Sequence, residues 1–239
     1  MSRKAVAATA EPKGKRSEPD SDCPICPRLA AYRASGRAEE PDWHNAPVPN
    51  FAASNARLLI VGLAPGLRGA NRTGRPFTGD FAGDLLYETL LDFGFAQGAY
   101  RACADDGLRL AGSAITNAVR CVPPQNKPTP QEINACRPFL AATIEGLPDL
   151  CAILALGRIA HDSIVRAFGQ KLSAFPFAHG AEHILPEAGA VTLFDSYHCS
   201  RYNTNTGVLT PSMFRAVFAR LRAKIDAVEK ADQLSKDTL

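Results

Sequence analysis

Four side chains of this sequence could together act on a heterocyclic base: the carboxylate of Asp80, the amide of Asn117, the imidazole of His198 and the ring of Phe77. A fixed anion opposes positive charge developing in a transition state, and a donor aimed at an oxygen takes up the negative charge. An aromatic face beside an amide that both donates and accepts suits a nucleobase turned out of its stack. Arg68, Arg72, Arg75 and Arg201 lie in the same segments. Such a rim fits the phosphates of a nucleic-acid backbone. Each residue also has a plainer reading. Asp80 stands where a cap would start a helix at Phe81–Leu91, Asn117 could satisfy strand-end backbone groups, and Phe77 could be core. Cys199 adjoins His198, but neighbours on extended backbone point to opposite faces, so no thiol–imidazole dyad is expected. His44, His161, His179 and His183 are read as structural or surface residues. His179-Gly-Ala-Glu-His183 is not the metal-binding His-Glu-x-x-His pattern.

The elements that must position these groups are visible as apolar runs. Leu58-Leu-Ile-Val61 is a buried strand that empties into the glycine-rich loop Gly62–Asp80. Ser113–Val119, Cys151–Leu156 and Val191–Phe194 read as three further strands covered on both faces. Helices are expected at about 28–33, 83–93, 159–168 and from Thr210-Pro211 onward, the last with apolar residues at 213, 214, 217, 218 and 221. Thr129, Pro130 and Glu132 form a capping box with proline at the first helical position. Residues 36–56 read as a surface connector and 95–111 as an irregular polar excursion. Strand and helix alternate, which predicts a three-layer α/β/α sandwich with a central, mainly parallel four-stranded sheet. If the strands ending near 62, 119 and 198 are parallel neighbours, their loops share one edge, where open α/β sheets bind ligands.

At 239 residues and a net charge of +3 the chain fits one sizeable domain, expected over 23–226, between a disordered tail at 1–22 and a polar tail at 227–239. No apolar run is long enough to cross a membrane, and the first 22 residues carry no apolar segment of the secretory kind. A cytoplasmic, nucleoid-associated monomer is expected. The seven cysteines are an odd number, which in a reducing compartment points to metal ligands or buried small residues before disulfides.

Taken together, Gly62-Leu-Ala-Pro65, Asn71-Arg-Thr-Gly-Arg75, Phe77-Thr-Gly-Asp80, Asn117-Ala-Val-Arg-Cys-x-Pro-Pro124, Lys127-Pro-Thr-Pro130 and His198-x-Ser-Arg-x-Asn-Thr-Asn-Thr-Gly207 resemble the signatures of family 5 uracil-DNA glycosylases, the UDGb type. The resemblance spans about residues 23–222. It implies the uracil-DNA glycosylase fold and a structural [4Fe–4S] cluster on Cys23, Cys26, Cys121 and Cys136. By chemistry alone zinc would accept the same four sulfurs. It further implies Asp80 as the catalytic acidic residue. We expect His198 to donate to the pyrimidine O2, Asn117 to read the base edge and Phe77 to stack on it. Gly62, Leu63, Ala64, Pro65 and Gly66 would line the pocket. Arg68, Arg72, Arg75, Arg201 and Tyr202 would meet DNA, the last two in the minor groove or the gap left by the base.

The expected activity is hydrolysis of the N-glycosidic bond of uracil and related deaminated bases, leaving an abasic site for base excision repair. Two alternatives stand beside it: a metal-stabilised nucleic-acid-binding module without chemistry, and a nucleotide hydrolase using the glycine loop. The loop lacks the Gly-Lys-Ser/Thr ending that the last would need.

Overall fold

The computed structural model describes residues 17–186 and 191–237. Its strands are β1 (Phe51–Ala52), β2 (Leu58–Gly62), β3 (Ala96–Gln97), β4 (Arg109–Leu110), β5 (Ser113–Asn117), β6 (Ala152–Leu156), β7 (Glu182–Ile184) and β8 (Thr192–Ser196). The helices are α1 (Pro27–Glu39), α2 (Ala70–Thr73), α3 (Phe81–Asp92), α4 (Pro130–Glu145), α5 (Arg158–Ala167), α6 (Arg201–Asn205) and α7 (Pro211–Asp237). The main sheet runs β1-β5-β2-β6-β8-β7, and its four middle strands are mutually parallel. All four are buried along their whole length, which is why none shows polar alternation. Side chains of β2 alternate between layers. Leu58 and Ile60 join the core under α3 and α7, while Leu59 and Val61 join the core under α4 and α5.

The four-strand expectation therefore needs extending to six. The additional strands are antiparallel edges of two and three residues, β1 on β5 and β7 on β8. Segments this short carry no periodicity, so they vanish in the polar stretches around them. The excursion at 95–111 holds a small hairpin, β3 with β4. The expected short helix at 28–33 is the thirteen-residue α1. The polar tail at 227–239 is not separate, because α7 runs on to Asp237 and Asp232 pairs with Arg57 at 2.7 Å. Of the N-terminal tail, residues 1–16 lie outside the described residues, but 17–22 are anchored. Glu18 pairs with the buried Arg120 at 2.5 Å and Asp22 with Arg37 at 2.5 Å.

Parallel register sets the working edge. Gly62 lies opposite Asn117, and Leu156 opposite Ser196, so β2, β5 and β8 release their loops on the same side. Helix α3, after β2, packs on one face and α4, after β5, on the other. Adjacent strands whose helices leave to opposite faces open a crevice at their carboxyl ends. The capping box at Thr129 is complete, with Glu132 N donating to Thr129 Oγ1 and Thr129 N donating to Glu132 Oε2.

Candidate active site

The crevice is a cavity of about 410 Å³ whose walls include Leu63, Ala64, Pro65, Gly66, Phe77, Asp80, Asn117, His198 and Arg201, a size usual for small-ligand pockets. Gly62, expected in the wall, is not part of it but packs behind two residues that are, Asn117 and Phe77. A Cβ at Gly62 would lie 2.5 Å from Asn117 Oδ1 and 2.5 Å from Phe77 Cζ, so only glycine lets the amide and the ring meet over the end of β2. The Phe77 and His198 rings stack at 5.9 Å between centroids, 28° apart. The Asn117 amide is buried (3% exposed), yet among the described residues no protein group bonds to it or to the His198 ring. Two strong hydrogen-bonding side chains thus face the cavity with their capacity free, an arrangement that costs free energy unless a ligand or water takes it up.

Asp80 serves both its readings at once. Its Oδ1 accepts from Gly83 N at 3.3 Å as the cap of α3, while Oδ2 faces Gly66 and Gly69. A Cβ on Gly69 would sit 2.4 Å from Oδ2. Burial raises the Asp80 carboxyl above the usual carboxylate range, against two backbone donors at the helix start that lower it. Burial likewise drives His198 down to about 4, so at neutral pH the ring is uncharged and one nitrogen carries a proton to donate. Helix α6 fixes its backbone, with Asn203 Nδ2 donating to the His198 carbonyl at 2.9 Å. Cys199 points away and is fully buried against the Ala82 carbonyl, its thiol pushed up to about 12. No nucleophilic dyad exists there.

The arginines divide. Arg68, Arg72 and Arg201 are exposed, Arg201 over the Phe81 ring at 5.2 Å, and Tyr202 beside it is 74% exposed. Arg75 is placed otherwise, which corrects its assignment to DNA contact. It is buried, forms a bidentate pair with Asp106 at 2.8 and 2.7 Å, and donates from Nε to Thr78 Oγ1 at 2.7 Å. Phe51 and Tyr87 flank its guanidinium, each 5.3 Å away. This group braces the glycine loop from behind. Tyr87 donates to the Pro76 carbonyl at 2.6 Å and Tyr100 to the Phe77 carbonyl at 3.2 Å. Those bonds hold Phe77 in a left-handed conformation, φ 53°, which a non-glycine residue keeps only when its surroundings over-determine it.

The family model for the uracil DNA glycosylase superfamily matches residues 49–222. Relatives agree with it. A type-5 uracil-DNA glycosylase of Thermus thermophilus is 48% identical over 201 residues, covering 82% of this chain and 90% of the relative. One from Mycobacterium bovis is 41% identical over 219 residues, covering 87% of this chain and 80% of the relative. A type-4 uracil-DNA glycosylase of Archaeoglobus fulgidus is 32% identical over 154 residues, covering 63% and 69%. The chain belongs to the uracil DNA glycosylase superfamily, in its type-5 branch.

In this glycosylase Cys23, Cys26, Cys121 and Cys136 line one small cavity between α1 and the start of α4. Burial raises the thiols of Cys121 and Cys136 to about 11 and about 12, and the neighbouring sulfurs add to the rise. Without a metal these thiols stay protonated; a metal centre would take them as thiolates. Four thiols on one cavity are a donor set that fits a thiolate-held metal centre. Two N–H groups aim at the sulfurs: Arg33 Nη1 at Cys121 (3.4 Å) and Arg120 N at Cys136 (3.3 Å). Cys103 and Cys151 stand apart from this cavity.

Asn126 and Ser200 also line the His198 cavity, and sequence reasoning gave neither a role. Asn126 ends a tight turn in which it and Gln125 both have φ 56°. Its setting in the turn-forming run Gln125-Asn-Lys-Pro-Thr129 was the available signal.

Proposed function

We propose that this chain is a monofunctional uracil-DNA glycosylase that extrudes uracil and related deaminated bases from DNA into the 410 Å³ cavity and hydrolyses the N-glycosidic bond for base excision repair. The observation that carries the reading is the convergence of Phe77, Asp80, Asn117 and His198 on one cavity, with the amide and the imidazole unclaimed by protein. When the C1′–N1 bond breaks, its electron pair leaves with the base and the sugar becomes cation-like. A neutral His198 donates to the base oxygen where negative charge builds, and it needs no protonation at neutral pH. Asn117 pairs with the polar edge of the base and Phe77 lies against its face. The Asp80 carboxylate opposes the positive sugar and orients the water that adds to C1′. Leu63 and Ala64 offer no polar atom of their own side chains for that task.

No lysine occurs in Gly62–Asp80, Asn117–Cys121 or His198–Gly207, so no Schiff base forms and the product is an intact strand with an abasic site. Exposed Arg68, Arg72 and Arg201 meet phosphates, and Tyr202 fills the gap left by the base. Cys23, Cys26, Cys121 and Cys136 would hold a [4Fe–4S] cluster, whose contribution is to clip α1 to α4 and to the strand end that carries Asn117. The reading places a monomer on nucleoid DNA in the cytoplasm.

Incubation of the cluster-loaded protein with a uracil-containing duplex tests it. Free uracil and a strand that breaks only after alkali are expected. Strand breakage before alkali, or no break after it, contradicts the reading.

A further inference from the structure

On the α5 face of β8, where Leu193 also packs, three groups that the glycosylase reading leaves idle meet in the interior. His161 of α5 is 1% exposed and Asp195 of β8 is 0% exposed. His161 Nε2 lies 2.8 Å from the Phe175 carbonyl. A carbonyl only accepts, so Nε2 carries the proton and a neutral ring presents a bare lone pair at Nδ1. That lone pair faces Asp195 Oδ1 at 2.7 Å. Two acceptors this close need a positive charge between them, either a second proton on the ring or a metal cation. The other carboxylate oxygen, Oδ2, lies 3.4 Å from His183 Nε2 on β7, and neither atom has a hydrogen-bond partner although both are buried. The three ligand atoms lie within 4.8 Å of one another.

We infer that His161, His183 and Asp195 form a binding site for one divalent transition-metal cation of the zinc class. Two imidazoles and a carboxylate are the donor set such an ion takes, at bonds of about 2.0–2.2 Å that put neighbouring ligand atoms roughly 3.3 Å apart. The 3.4 Å gap, to Oδ2, matches that spacing, and the 2.7 Å gap, to Oδ1, must open by about 0.6 Å for a carboxylate that meets the ion with both oxygens. A ring nitrogen backed by a carbonyl on the far side is how metal-bound histidines are oriented. Calcium and magnesium prefer oxygen, so imidazoles select against them. A single ion would satisfy the orphaned oxygen and both nitrogens at once. His183, with its side chain 13% exposed, is the side of entry.

The site is distinct from the four cysteines in position and in donors. His183 pairs across from Leu193 in the sheet. The ion therefore ties edge strand β7, helix α5 and β8 together three residues before His198. Its role is to fasten the strand that carries the catalytic histidine.

The cluster-loaded protein, freed of loose metal with a chelator, is titrated with Co²⁺ and followed by difference absorbance. We expect one equivalent to bind with the weak visible bands of nitrogen and oxygen ligation, without the strong near-ultraviolet band of thiolate ligation. Zn²⁺ should displace it and raise the melting temperature. His183→Ala, on an edge strand, should fold yet lose both the cobalt bands and the zinc-dependent rise, and Asp195→Asn should do the same. Binding that survives in His183→Ala, bands of thiolate character alone, or no binding at all would each overturn the proposal, the last leaving the trio held by protons.

Discussion

The loop Gly62–Asp80 has two sides that follow opposite rules. Behind it, Arg75 bonds to Asp106 and Thr78 while Tyr87 and Tyr100 donate to the Pro76 and Phe77 carbonyls, all at 2.6 to 3.2 Å. In front, the Asn117 amide and the His198 ring face a cavity with no protein partner among the described residues, and Asp80 spends one oxygen on a cap. Buried polar groups are normally paired. Those left unpaired at the carboxyl edge of a sheet are waiting for something that is not protein. The paired side makes the unpaired side possible, because bonds to the carbonyls of Pro76 and Phe77 fix the backbone that aims Phe77 into the cavity.

Substitutions on the two sides should separate cleanly, catalysis in front and stability behind. The largest effect is expected in front. His198→Ala and Asp80→Asn should each lower single-turnover excision by about 10²–10³-fold or more with little change in melting temperature. Gly62→Ala should come next. Its Cβ falls 2.5 Å from both Asn117 and Phe77, so excision should drop steeply while uracil-free DNA still binds, as a mobility-shift titration would show.

Arg75→Ala should do the reverse of these, costing about 3–5 kcal/mol by stranding Asp106, on the order of 10 °C in melting temperature. It should leave the salt dependence of DNA binding unchanged. Arg68→Ala and Arg201→Ala should have the smallest effects, a weaker affinity for every sequence and a salt slope reduced by about 1 each. A stability loss from Asn117→Ala matching that of Arg75→Ala would erase the distinction.

Acid sharpens the same contrast. The Arg75 guanidinium holds the Asp106 carboxyl well below the usual carboxylate range. A depressed folded pKa gives stability that is whole above the unfolded value near 3.9 and is lost as pH falls below it. Melting temperature should therefore fall in strong acid for the native chain and less for Asp106→Asn. Activity should fail earlier. Asp80 is raised by burial, so excision should decline as pH drops through a value above the ordinary carboxylate range. His198, neutral down to about 4, should add no break between pH 8 and 5. Single-turnover rates across pH would check both.

Much of the front was legible in the sequence because its signals are local. An unbroken apolar run marks each central strand, and polar motifs follow β2, β5 and β8, whose parallel order could be argued. The Thr129 capping box needs only four consecutive positions. The back was not legible. Arg75 reads like Arg68 and Arg72 along the chain, and its partner lies 31 residues away in a stretch with no periodicity. The same holds for His161, whose helix gave no hint of Asp195, 34 residues on. Through-space pairing of this kind leaves no trace in spacing. The edge strands β1 and β7 were lost for want of length.

We propose that the glycosidic bond breaks in the cavity bounded by Phe77, Asp80, Asn117 and His198. The most direct test is the single-turnover rate of uracil release from a duplex by the cluster-loaded protein and by His198→Ala, measured at saturating protein. A fall of at least a hundredfold for the variant, with its melting temperature and iron content unchanged, is the predicted result. Release at the native rate would mean that the bond is cut somewhere else.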